Sequence, residues 1–133
     1  MRKLAIFSLL LLFSPLWAVP IKILLTGDMH GMVLPRQVEG RVCGGAAEML
    51  AYWKKYEGYR PSRFITIANG DIATNGALYS SLLKGMPAIE AMNLMGYDVC
   101  AMGNHEFDMG MDGFSAWQQR AKFTFISANL TVD

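Results

Sequence analysis

The stretch AMGNHEFDMG (101–110) places Asn104, His105, Glu106 and Asp108 on one short turn between glycines. The chain holds only two histidines. The other, His30, lies in LLTGDMHG (24–31), again behind an apolar run and beside a carboxylate, and Asp71 closes the NGD of 69–71. Asp28 and His30 are two positions apart, so a tight loop lets both side chains point at one ion. Asp71 has two oxygens that can bridge two ions, and Asn104 offers a neutral amide oxygen. An N/O donor set without thiolate suits divalent manganese, zinc or similar ions. Two such ions roughly 3.5–4 Å apart would clamp an in-line displacement at phosphorus and lower the pKa of a bound water to create the nucleophile. His105 projects from the same loop as Asn104 without needing to ligate. Asp108, one turn on, can accept a hydrogen bond from its imidazole. That pairing holds the tautomer and favours the imidazolium, which makes His105 a candidate acid toward a leaving oxygen. Glu106 reads as a loop-fixing hydrogen-bond acceptor.

Each piece alone has a plainer explanation. D-x-H can be a polar turn with a capping aspartate, and NGD is an ordinary turn. What shifts the balance is where the pieces fall along the chain. IKILLT (21–26), FITIAN (64–69), DVCAMG (98–103) and FTFISANL (123–130) read as strands. Between them GGAAEMLAYWKKYEG (44–58) gathers Ala46, Met49, Leu50, Trp53 and Tyr56 on one helical face, read as core rather than as a nucleobase platform. A short helix is possible near 78–84. MPAIEAMNLMG forms a clear helix with Pro87 in its first turn and Gly96 past its end. Asp112 could cap a further helix carrying Phe114, Trp117 and Ala121. The order β-α-β-α-β-α-β predicts an α/β fold with parallel strands, covered on both faces as their continuous hydrophobicity suggests. In such sheets ligands bind at the carboxyl ends of the strands. Asp28 and His30 follow the first strand, Asp71 the second, and Asn104 and His105 the third.

At 133 residues, 53% hydrophobic and 17% charged, the chain allows one globular domain. A net charge of +1 gives no reason to expect a nucleic-acid polymer or an acidic membrane surface as partner. Residues 1–18 are laid out as a signal peptide, with Arg2 and Lys3, an apolar run from Leu4 to Phe13, Pro15, and cleavage near Ala18. This predicts a secreted or periplasmic protein without a stable membrane anchor. Export permits a disulfide, yet Cys43 before a helix and Cys100 inside a strand pattern are expected to be two separate buried thiols.

ILLTGDMHG, GGAAEML, NGD, LYSSLLKGMPAIEAMNLMGYD and AMGNHEFDMG, followed by FISANL, resemble the N-terminal half of the 5′-nucleotidase family of calcineurin-like metallophosphoesterases. The likeness runs from about Ile21 to Leu130. It implies a secreted or periplasmic hydrolase with two divalent metal ions in a four-layer αββα sandwich, acting on nucleotides or other phosphate esters. By position, Asp28 and His30 become ligands of a first metal, Asp71 the bridge, and Asn104 a ligand of the second. His105 and Asp108 become the catalytic dyad, with Asn104 and His105 also facing substrate. Gly27 departs from the family's usual asparagine at a position that is not a ligand. The larger departure is that the family's later G-H and G-H-x-H ligands, and its C-terminal nucleotide-binding domain, have no counterpart in this sequence. Residues 19–133 are therefore expected to form an incomplete catalytic domain, inactive alone and with one sheet face bare. A 2′,3′-cyclic nucleotide phosphodiesterase on the same scaffold is an alternative. A non-catalytic metal-binding protein is another, though it would have no need for the His105–Asp108 pair.

Overall fold

The computed structural model describes residues 20–131. The expected signal peptide lies outside the described residues. Strand β1 (Lys22–Thr26) leads through a hairpin, β2 (Arg36–Val38) and β3 (Arg41–Cys43), into helix α1 (Ala46–Tyr52). Then come β4 (Phe64–Ala68), α2 (Leu78–Leu82), α3 (Met86–Met95), β5 (Val99–Ala101), α4 (Gly110–Arg120) and β6 (Thr124–Ile126). Strands β1, β4, β5 and β6 form one sheet in that order, and every pairing in it is parallel. The α/β expectation holds, with the four strands in chain order and their carboxyl ends on one edge.

The helices cover one face of this sheet. Phe64, Ala68 and Cys100 pack there against Trp53, Ile89, Met92, Phe114 and Trp117. Among the described residues the other face is bare, contrary to the expectation of two covered faces. Ile23 and Ile65 stand side by side in register on it. Ile23 and Leu25 are 58% and 66% exposed. Continuous apolar sequence marks strands suited to burial on both sides, and only one side is buried by these residues. No helix among the described residues is long and apolar enough to cross a membrane.

Local departures have local causes. The sequence does not announce the hairpin, because its two-residue turn is Glu39-Gly40, with φ of 49° and 76°. A turn with both central residues left-handed usually shows itself by Asn-Gly or Asp-Gly. Past α1 the chain widens into a π-helical turn, Trp53–Glu57, and the extra residue per turn breaks the 3.6-residue register. Trp53 stays buried, but Tyr56 swings out to 60% exposure and meets Tyr52, ring centroids 4.7 Å apart. Tyr56 is therefore not core. Asp112 is not a cap either. Met109 occupies that position and Asp112 lies in the first turn of α4, where its charge still opposes the helix dipole favourably. Cys43 and Cys100 are both free, but only Cys100 is buried. Burial pushes its thiol up to about 12, so it is an inert core group.

Candidate metal and catalytic site

The loops leaving β1 and β4 are stitched together by backbone. Asp28 N–H donates to the Gly70 carbonyl at 3.3 Å, His30 N–H to Asp71 at 2.9 Å, and Gly31 N–H to Ile72 at 2.8 Å. This ladder holds Asp28, His30 and Asp71 at φ of 51°, 46° and 53°. Left-handed backbone costs a non-glycine residue of order 1–3 kcal/mol and persists only where the surroundings over-determine it, commonly at functional sites. Asp28, His30 and Asp71 are three of six described non-glycine residues with positive φ, and their side chains converge.

One ligand atom from each of Asp28, His30 and Asp71 lies within 4.8 Å of the others. His30 Nδ1 is 3.0 Å from the Thr74 carbonyl oxygen. A carbonyl only accepts, so Nδ1 carries the proton and Nε2 presents its lone pair toward the carboxylates. Asp28 Oδ1 sits 3.9 Å from that Nε2, with its side chain 75% exposed. Asp71 Oδ1 accepts the His105 N–H at 3.0 Å, which leaves lone pairs on both oxygens for an ion. Two carboxylates and a neutral imidazole, preset in tautomer, fit a divalent manganese or zinc ion. Among the described residues no cysteine joins this cluster. Asn104 starts the turn that holds His105 and is exposed at the same edge.

The third loop carries the acid candidate. His105–Phe107 form a single 3-10 turn, and His105 Nδ1 lies 2.9 Å from Asp108 Oδ2. The two histidine rings meet edge to face, centroids 5.3 Å apart, so the His105–Asp108 pair stands beside the donor cluster. The Asp108 carboxyl is held below the usual carboxylate range, chiefly by the Thr74 hydroxyl; desolvation opposes this as the next-largest effect, and the hydrogen bond and charge of His105 lower it further. It stays anionic to lower pH and keeps its hold on the imidazole.

Glu106 does what its sequence position suggested. It is fully buried, and its oxygens accept N–H groups from Asp71 (3.0 Å), Ile72 (2.9 Å) and Gly103 (2.5 Å). One carboxylate thus ties the β4 and β5 loops together. Gly103 is required by that closeness, since a Cβ there would fall 2.2 Å from Asp71 Oδ1. Gly103→Ala is expected to destabilise by about 1–3 kcal/mol, the usual cost of overpacking, and to weaken metal binding by displacing Asp71. Thermal denaturation and metal titration of the variant check both.

Sequence reasoning missed Thr74 and Asn75. Thr74 Oγ1 lies 2.8 Å from Asp108 Oδ2, and Asn75 Nδ2 lies 2.9 Å from His105 Nε2. The one available signal was the polar pair itself, in the DIATNG that begins at Asp71.

Loops at the ends of parallel strands thus bring a carboxylate–imidazole donor set and a His–Asp pair to one sheet edge. The calcineurin-like phosphoesterase family profile matches residues 21–130, and the chain belongs to that family. It is 28% identical to rat 5′-nucleotidase over 128 residues, covering 87% of this chain and 22% of that protein. It is 33% identical over 110 residues to protein UshA of Salmonella pullorum, covering 83% and 20%. The crystal structure of a 5′-nucleotidase precursor from Thermus thermophilus superposes with a TM-score of 0.70 at 27% identity, covering 82% of this chain and 22% of that one. The chain thus spans about a fifth of the length of these relatives.

Proposed function

We propose that these residues form part of the active site of a metal-dependent phosphoester hydrolase of 5′-nucleotidase type. The observation that carries the reading is the convergence of the Asp28–His30–Asp71 donors with the His105–Asp108 pair at one sheet edge. Asp28 and His30 would hold one divalent ion, Asp71 would bridge to a second, and Asn104 would ligand that second ion. The further ligands the second ion needs would come from outside this segment, which serves as the N-terminal part of a longer catalytic domain. Bound ions would supply electrostatic stabilisation of the phosphoryl group and a nucleophile at neutral pH.

The protein's own groups do the rest. His105 would deliver a proton from Nε2 to the leaving oxygen, Asp108 keeps the ring oriented through Nδ1, and the backbone N–H of His105 fixes Asp71. Nucleotides are the proposed substrates, since relatives are named for nucleotide hydrolysis. With the signal-like residues 1–18, the proposed setting is the periplasm or the exterior of the cell.

Hydrolysis of 5′-AMP by the complete protein is expected to vanish on chelation and return with added manganese or zinc. Activity that survives exhaustive chelation would overturn the reading.

A further inference from the structure

Thr74 and Asn75 touch both histidines, yet neither is a candidate ligand or acid. Thr74 is buried. Its carbonyl accepts the His30 Nδ1 proton at 3.0 Å, and its hydroxyl lies 3.0 Å from the His105 carbonyl oxygen and 2.8 Å from Asp108 Oδ2. One hydroxyl proton serves one acceptor at a time, and the ionised carboxylate is the stronger acceptor. Asn75 reaches the imidazole from the opposite side, its Nδ2 2.9 Å from His105 Nε2. An amide N–H donates, so Nε2 accepts and Nδ1 carries the proton that goes to Asp108. One dipeptide therefore grips the ring at both ends, directly at Nε2 and through Asp108 at Nδ1.

The grip matters because His105 sits on an exposed-edge turn with no helix or strand to lock its rotamer. Catalytic groups need placement within about 0.5 Å and 10–20° of the productive geometry. We propose that Thr74 and Asn75 are positioning residues for His105, Asn75 holding the outer ring nitrogen and Thr74 holding the Asp108 carboxylate that fixes the inner one. The inference rests on the role of His105 argued under the proposed function. Asn75 is exposed, so its amide is free to turn: its N–H donates to Nε2 of the neutral ring, and its Oδ1 can accept the Nε2 proton once the ring is doubly protonated and ready to serve a leaving oxygen. What it sets is the starting orientation and tautomer of the ring.

The test uses the complete, manganese-loaded protein with Thr74→Val, Thr74→Ser and Asn75→Ala. Thr74→Val keeps the shape and removes the hydroxyl, and Thr74→Ser restores it. For Thr74→Val and Asn75→Ala we expect kcat to fall by about ten- to a hundred-fold, the scale of a misplaced reacting group. KM and bound metal should be unchanged, and Thr74→Ser should recover most of the rate. In parallel, ring 15N spectra at alkaline pH, with His105 assigned through His105→Gln, should show the Nδ1–H tautomer in the parent and a mixture in Asn75→Ala. Parent-like kcat together with a parent-like ring spectrum in both variants would overturn the inference. So would a loss confined to KM or to metal content. If the parent hydrolyses no phosphate ester, the proposed function fails, and the ring spectra alone then decide this inference.

Discussion

Replacing Asp71 is expected to empty the metal centre and lower turnover by roughly a thousand-fold, because a metal ion supplies several kcal/mol of transition-state stabilisation and each 1.36 kcal/mol is about a decade in rate. Asp71 has more to lose than its neighbours. It contributes to the donor cluster with Asp28 and His30, and the same carboxylate accepts the His105 N–H at 3.0 Å. It also holds a left-handed φ of 53°, which alanine tolerates poorly. Asp71→Ala is therefore expected to remove the proposed ligand, loosen the His105 turn and strain the loop together. Asp71→Asn separates these effects, since asparagine keeps the acceptor and accommodates the backbone while losing the charge. Metal content by elemental analysis and AMP hydrolysis should fall in both variants. An asparagine variant that keeps its metal and its rate would show that Asp71 is no ligand.

His105→Ala should behave in the opposite way toward metal. Its imidazole is engaged by Asp108 and Asn75, and it stands beside the donor cluster, not in it. Metal content is expected to stay at the parent level while kcat drops by about a hundred-fold or more, the usual contribution of a positioned general acid. Esters with good leaving groups need less protonation and should lose less. A metal-free His105→Ala variant would instead make His105 a ligand and remove the acid from the scheme.

Much of this edge was legible before any coordinates. DMH, NGD and NHEFD each follow an apolar run, and a β-α-β succession brings such strand ends to one edge whatever the helix details. Glu106 was legible as a loop-fixing acceptor for the same reason, a carboxylate locked between glycines. Thr74 and Asn75 were not. A threonine and an asparagine after a strand are ordinary turn formers, and nothing local says that one will meet Asp108 and the other His105 across some 30 positions of chain. Tyr56 failed for a different reason. Helical periodicity assumes 3.6 residues per turn, and the π turn at Trp53–Glu57 changes the period where the face was being read.

The amino-acid sequence by itself determined the parallel α/β order, the helix limits set by Pro87 and Gly96, and the residue types available at each strand end, because these depend on local periodicity and backbone preference. Only the tertiary structure decided which side of the sheet is covered, leaving Ile23 and Leu25 exposed while Phe64 and Ala68 are buried, since strand hydrophobicity is the same whether or not a second layer is present. It alone decided the tautomer of His30, through a carbonyl 44 positions away, and the left-handed backbone at Asp28, His30 and Asp71, through hydrogen bonds between two loops. These are contacts between distant segments, and their geometry exists only once the sheet has set the loops side by side.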